Sequence, residues 1–526
     1  MWSLTPEERA DSVQRLVANI CALAHAQCLE ISAEDAAVAA AAFEKKAYTA
    51  AEVAARTTTG DRPVSETTSA YARKLGELVV QFVKDGAKLE GTSKAPAATT
   101  GLVDFLDLAG LRDFLTADMA EEILAPMLAP GSTVNKIRFS TKSFGRDAAA
   151  VASRAIEALS HLLMEADISD VIAGRPEDEA LDVLRVLSLA LSGAPRLTAL
   201  NLSDNALGEK GLRACEAVLA GKAPLESLSL QNVGLSVHAC RATAELLRDP
   251  SRLRRLHLFN NMSGDKGAEH IAEMLARAPQ LEDLRFASSR VGPAGGVSLA
   301  KSLMAGARLV RLDLSDNPLT AEMAPDLAKA LALQPALRAL NLNDTSLGPD
   351  GVKEVCRTLL QSYRDADGAP RQQLEELGLA LNEVDPAAAR AVAALVASHA
   401  STLHVLNLRE NELGDRGAVT LSRALAVLAE PSTVDLVGNQ IRRAGAVAVA
   451  NALASKDSLG LLALDENTIS ENGLDQLRSV MEAAGKSAAL GPLEENMAED
   501  TDDEDEDEEG SDDFGLGDLL ARFTVA

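Results

Sequence analysis

Aromatic side chains make up only 3% of the 526 residues, and Trp2 is the single tryptophan. Without them a thick globular core is hard to fill, so Ala, Leu and Val must build thin layers repeated many times. Cysteines are few: Cys21, Cys28, Cys215, Cys240 and Cys356 form an odd set with no paired spacing. This argues against a disulfide framework and for a reducing compartment. No apolar run reaches 18 residues and no signal-peptide pattern follows Met1, so neither a membrane span nor secretion is expected. Enzyme signatures are missing as well, with no G-x-x-x-x-G-K-[ST], H-E-x-x-H, C-x-x-C or G-x-S-x-G. The seven histidines are scattered, and none stands at metal spacing from a cysteine. Basic residues fall short of acids by 27 charges, and between Glu494 and Asp513 there are 14 acids and no Lys or Arg. Such a balance disfavours nucleic acid as the main partner and favours a basic protein surface.

What the chain does have is a repeat. Residues Leu197 to Gly208 read LTALNLSDNALG, and near-copies follow as LESLSLQNVGLS, LRRLHLFNNMSG, LVRLDLSDNPLT, LRALNLNDTSLG and LHVLNLRENELG. The frame L-x-x-L-x-L-x-x-N-x-L is that of a leucine-rich repeat. Its alternating leucines need a short strand that buries every second side chain, and its Asn suits a turn where the amide satisfies peptide groups of the neighbouring coil. The ninth position falls at Lys142, Val171, Asn205, Val233, Asn261, Ser289, Asn317, Thr345, Asn382, Asn411, Asn439 and Asn467. Most intervals are 28 residues, enough for a strand, a turn and a helix of about three turns. Turns often carry a G-x-x-G frame, as in Gly208-Gly211 and Gly264-Gly267. Helices are wider than the ~4.8 Å between paired strands, so stacking must curve the array. The expected fold is an α/β horseshoe of about twelve repeats, with a parallel sheet on the concave side and helices outside.

Flanking segments differ in character. Residues 1–90 lack the repeat and read as a small helical bundle, with Val13, Leu16, Val17 and Ile20 on one face and Tyr71, Leu75, Leu78, Val79 and Phe82 on another. Residues 91–128 are expected to form a linker and a helical N-terminal cap, 129–485 the repeats, and 486–526 a disordered acidic tail. An interval of 37 marks a polar surface loop near Ser362–Gln373, and one of 34 marks an insertion between Val171 and Asn205.

Two residues draw attention because they stand off the repeat frame. Arg175 lies in that insertion between Gly174 and Pro176, with Glu177, Asp178 and Glu179 following. Its plain reading is a surface arginine paired with one of those acids, worth roughly 0–1 kcal/mol. Asn232 sits one place before the ninth position, which Val233 fills, so it should face outward at the end of its strand. An ordinary exposed amide is the plain alternative. His257, at an outward strand position, reads as solvated.

The segment DISDVIAGRPEDEALDVLRVLSLAL followed by LNLSDNALGEKGLRA resembles the Ran GTPase-activating proteins, in particular their green-plant branch. The N-terminal AYARKLGELV, then VNKIRFSTKSFG, FNNMSGDKGA and the acidic tail match that branch in order. The resemblance implies a protein that is not itself an enzyme. It would stimulate GTP hydrolysis by Ran in its GTP form, in support of nucleocytoplasmic transport, with GTP and Mg belonging to the partner and no cofactor of its own. It implies catalytic importance for Asn232, which would orient the GTPase's own glutamine, and a partner-binding role for Arg175. Asp204 and Asn260 complete the expected partner-binding set. No arginine finger is implied. The branch also carries an N-terminal module named for a Trp-Pro-Pro motif, which docks on coiled-coil partners at the nuclear envelope. Here Trp2 is followed by Ser3-Leu4, so residence in the cytoplasm without envelope anchoring stays open. The competing reading is a non-catalytic leucine-rich-repeat scaffold or inhibitor; inhibitors of this repeat length are typically cysteine-rich, and the array holds only Cys215, Cys240 and Cys356.

Overall fold

The structure, a computed structural model, describes residues 104–110, 112–220, 224–362 and 373–496, with scattered positions between Arg9 and Phe82 and at Gly517. The chain divides into two compact units, Met1–Leu102 and Val103–Ala526. The expected loop at 363–372 and the acidic run at 502–509 lie outside the described residues.

In the first unit the described positions are helical and enclose Leu16, Ile20, Ala36, Ala39, Ala40, Tyr71, Leu75, Val79 and Phe82. One carboxylate is buried among them. Glu44 takes a two-pronged hydrogen bond from Arg9, at 2.7 and 2.6 Å, and a third from the Tyr71 hydroxyl at 3.1 Å. The Arg9 guanidinium also stacks 3.9 Å above the Tyr48 ring.

The second unit has the leucine-rich-repeat architecture. Thirteen three-residue strands form one parallel sheet in sequence order, with only a two-stranded sheet set aside from it. Each strand buries its middle residue, and the register places these side by side: Leu200 on Leu228, Leu228 on Leu256, Leu256 on Leu284, Leu284 on Leu312. Helices follow the strands and pack consecutively, as do Gly264–Leu275 and Pro293–Leu303. The second glycine of the G-x-x-G frame permits this approach. A Cβ on Gly211 would stand 2.8 Å from Leu207 Cβ, and one on Gly267 would stand 3.0 Å from Cys240 Sγ.

Asparagines at the ninth position tie one repeat to the last. Asn261 Oδ1 accepts the N–H of Val233 and of Leu235 at 3.2 and 3.0 Å, while its Nδ2 donates to Leu230 O and Leu258 O at 3.0 and 2.7 Å. Asn205, Asn317 and Asn467 do the same for the repeats before them. One amide therefore serves two coils. That is why Val233, Ser289 and Thr345 can stand where the frame asks for Asn: each is followed by Asn261, Asn317 or Asn382, which supplies the missing acceptor.

Both ends of the array differ from expectation. Phe105–Asp107 pairs in parallel with Lys136–Arg138, so the sheet opens one strand earlier and holds thirteen strands rather than twelve. The stretch read as a helical cap supplies this strand, a second strand Asp113–Leu115 and then the helix Ala117–Leu128. With one buried side chain, Leu106, and Leu111 in place of the turn Asn, that strand leaves no periodic signal. At the other end the helix Glu471–Ala483 is not the last ordered element. Leu490 bridges to Leu462, and Asn496 Oδ1 accepts the Asn467 N–H at 3.1 Å. Residues 486–496 are thus a truncated further coil that closes the array.

Candidate functional site at the strand ends

Every coil must reverse direction after its strand, so that the ninth residue points inward. One residue with positive φ makes that reversal: Asp204 (58°), Asn232 (51°), Asn260 (58°), Ser288 (48°), Asp316 (53°) and Asp344 (52°). Short polar side chains tolerate this left-handed conformation best. Asn232 is therefore not a departure from the repeat, as expected from its place off the Asn column. It is a regular member of a second column. Its own N–H donates to Phe259 O at 3.0 Å, as Asp204 N–H does to Gln231 O at 2.9 Å, so backbone bonds hold each member on the coil that follows.

Within this column three side chains join. Asn232 Nδ2 donates to Asp204 Oδ1 at 3.0 Å, and Asn260 Nδ2 donates to Asn232 Oδ1 at 3.3 Å. A carboxylate can only accept, so Asp204 fixes which end of the Asn232 amide faces it. One N–H and one lone pair of that amide remain open to solvent, since all three residues are exposed. The structure thus brings together Asp204, Asn232 and Asn260. Beside them a shallow groove of about 500 Å³ runs past Met262, Arg290 and Pro318 to Asp316.

Arg175 stands elsewhere. Its Nε donates to Ser143 Oγ at 2.9 Å, and Nη2 donates to Ser143 O at 2.7 Å and Leu115 O at 3.4 Å. Its guanidinium lies 5.3 Å from the Phe114 ring centroid, and Glu179 is a loose ion-pair partner at 3.7 Å. Neither the solvated surface arginine nor a free guanidinium describes it. Arg175 fastens the turn before the helix Glu177–Ser192 onto the two-stranded sheet of Asp113–Leu115 and Lys142–Phe144. Gly174, at φ 73°, makes room: a Cβ there would come within 3.0 Å of the Phe114 ring. Among the described residues no hydrogen bond joins Arg175 to the Asn232 row. The insertion itself is spent on a longer turn and a longer helix, not on a free loop.

Across the strand face, charges alternate between coils. Arg255 and His257 both reach Asp283 Oδ2 at 3.2 Å, Arg285 reaches Asp313 at 2.9 Å, and Arg311 reaches Glu376 at 3.1 Å. Burial pushes the Asp283 carboxyl up, but the His257 hydrogen bond and the nearby positive charges outweigh it and hold Asp283 below its usual range. His257 is a paired residue at 19% side-chain exposure, not the solvated one its position suggested. Among the described residues no His, Cys, Asp and Glu group could hold a metal ion, and no helix is long and apolar enough to cross a membrane.

Comparison with known proteins accords with this architecture. The leucine-rich-repeat family pattern matches residues 195–214 and 399–422. The chain is 53% identical over 431 residues to Ran GTPase-activating protein 2 of Arabidopsis thaliana, covering 81% of this chain and 77% of that protein. It is 37% identical over 219 residues to Ran GTPase-activating protein 1 of the same plant, covering 41% of this chain and 40% of that protein. Among solved structures it is similar to an internalin of Listeria monocytogenes at 14% identity and a TM-score of 0.39, covering 69% of this chain and 87% of that one.

Proposed function

The chain belongs to the family of Ran GTPase-activating proteins, and from that premise we propose that the Asp204–Asn232–Asn260 row is the part that acts on Ran. The protein stimulates the GTPase of its partner and performs no bond-breaking chemistry of its own. Phosphoryl transfer to water needs positioning and charge stabilisation more than covalent help. A neutral amide suits the positioning task, because it offers a donor and an acceptor to the GTPase's glutamine without adding charge beside the phosphates.

The observation that carries this reading is the amide of Asn232 held between Asp204 at 3.0 Å and Asn260 at 3.3 Å. Such an amide is oriented before the partner arrives, so little is lost in ordering it during the reaction. Arg175 supports the same conclusion from the other side. Its guanidinium is committed to Ser143 and Leu115, so it is not free to enter a nucleotide site as an arginine finger. Its role is to keep the turn beside the row in place, and its effect on the partner is indirect.

GTP and Mg arrive with Ran, and the activator brings no cofactor. We assign residues 1–90 to docking on coiled-coil anchors at the nuclear envelope and the chain to the cytoplasm, in support of nucleocytoplasmic transport. The acidic tail is assigned to steering a basic surface of the GTPase, where it raises encounter rate more than affinity.

Single-turnover hydrolysis of GTP on Ran, with an unrelated small GTPase as control, tests this. Asn232→Ala is expected to slow stimulated hydrolysis by about 10²–10³-fold, the cost of removing one preorganised polar group, while binding of Ran–GTP survives. Full stimulation by the variant refutes the residue assignment. If the unaltered chain fails to stimulate Ran, only a scaffold or inhibitor remains.

A further inference from the structure

Beyond the amide row, the strand-end groove has features that the row does not use. Most arginines on the strand face are neutralised: Arg254 pairs with Glu282 at 2.7 Å, Arg255 with Asp283 at 3.2 Å, Arg285 with Asp313 at 2.9 Å, and Arg311 with Glu376 at 3.1 Å. Arg290 is different. It lines the groove that begins at Asn232, it is exposed, and among the described residues no hydrogen bond or ion pair engages it. Asp316 lines the same groove and is exposed as well, yet the two are not bonded to each other. Met262 sits between Asn260 and Arg290 with 54% of its surface in water, which is unusual for so large an apolar side chain in this chain.

An exposed apolar residue flanked by an unpaired cation and an unpaired anion is the composition of an unfilled contact. Polar groups around it can be satisfied only from outside, and the groove is continuous with Asn232. Resting on the reading of the row as the site that acts on Ran, we infer that this groove grips a surface segment of the GTPase: Arg290 takes a carboxylate, Met262 covers an apolar side chain, and Asp316 takes a cation. The segment adjoins the loop whose glutamine meets Asn232, so the grip fixes the register between the two proteins. Arg290 is then a specificity and affinity residue, in contrast to Asn232, which acts on the rate of the bound complex. Its guanidinium fork favours a carboxylate, and a lysine would reproduce only the charge.

Steady-state stimulation of Ran, with KM for Ran–GTP and kcat measured separately at low and high salt, tests the inference. Arg290→Ala is expected to raise KM about tenfold and Arg290→Glu about a hundredfold, with the rate at saturation changed far less. Arg290→Lys should recover part of the loss, and Met262→Ser should raise KM by about threefold. The salt dependence of KM should flatten in Arg290→Ala, because the lost pair is the screened one. Thermal melting of each variant should match the unaltered chain, since Arg290 holds nothing in the fold. A KM for Arg290→Glu within twofold of the unaltered chain overturns the inference while leaving the function standing. A fall in kcat at unchanged KM overturns it too, since Arg290 would then act on the chemistry. An unaltered chain that does not stimulate Ran overturns the functional reading and this inference together.

Discussion

The Asn232 amide donates to the Asp204 carboxylate at 3.0 Å across two adjacent coils of the array. Because Asp204 can only accept, it selects one of the two orientations of that amide, which are otherwise close in energy at an exposed site. Asp204→Ala should release the flip and leave the productive orientation only partly populated. Stimulated hydrolysis is expected to drop by about fivefold, the order of one exposed hydrogen bond, with KM little changed. Asp204→Asn keeps an acceptor and should restore most of the rate. Equal losses in the two variants would show that charge at this position matters, and orientation does not.

A second expectation concerns the column beneath. Asn261 accepts from both Val233 and Leu235 and lies directly below the turn that presents Asn232. Asn261→Ala leaves these two buried N–H groups and two or more carbonyls without partners, at about 1–3 kcal/mol for each group left unsatisfied. Amide hydrogen exchange at Val233 and Leu235 should accelerate by at least about tenfold, and stimulation of Ran should fall along with it. Unchanged protection at both amides would mean that water replaces the side chain.

How far the sequence spoke for itself differs between these two columns. Buried leucines such as Leu200, Leu228 and Leu256 are legible because burial is a local alternation that any coil repeats. The positive-φ column was misread because φ has no letter of its own: Asn, Asp, Ser, Leu381 and Glu410 all occupy it. Only its constant place before the inward residue could have shown that Asn232 obeys a rule. Phe105–Asp107 and Asn496 escaped notice because each belongs to a coil reduced to its hydrogen bonds, with too few apolar positions left to form a period. Arg175 could not be resolved because its partners, Ser143 and Leu115, are remote in sequence.

Arg175 supplies a third expectation. Arg175→Ala removes the donors that serve Ser143 Oγ, Ser143 O and Leu115 O, and takes the cation from the Phe114 ring. The turn that it fastens begins near Asp170, whose N–H donates to Ser203 O one residue before Asp204. A stability loss of about 1–3 kcal/mol is expected, seen as faster exchange of the Phe144 and Gly145 amides, together with weaker stimulation of Ran. Arg175→Lys should not rescue either effect, because an ammonium cannot reach three acceptors in a planar fork. Unchanged rates and exchange would make Arg175 an idle side chain.

The buried Glu44 in the N-terminal unit gives a fourth. Arg9 supplies two of its hydrogen bonds, and removing that arginine leaves a carboxylate that is 3% exposed without its counter-charge. Arg9→Ala is expected to destabilise the unit by about 3 kcal/mol, whereas replacing Glu44 and Arg9 together by Gln and Met should cost much less. Melting of the single and double variants separates the two, and a double variant as unstable as Arg9→Ala would refute the account.

His399 links stability to pH. The residue is buried at the end of the helix Pro386–Ser398, with Nδ1 2.9 Å from Leu395 O and Nε2 without a partner. Nδ1 therefore carries the proton that Leu395 O accepts, and a second proton on Nε2 would be a buried charge with no acceptor. Burial accordingly pushes the folded-state pKa below the ordinary value of 6.5, and the Leu395 hydrogen bond offsets this only in part. As pH falls through 6.5 the unfolded chain takes up the proton first, so the folded state loses stability from there down to the folded pKa. It loses none above 6.5 on this account. The expected slope in that window is about 1.4 kcal/mol per pH unit. Chemical denaturation at pH 7.5 and 5.5 should show the fall in the unaltered chain and a smaller one in His399→Leu, whatever the variant's stability at pH 7.5. Parallel falls in both proteins would assign the acid sensitivity to other groups.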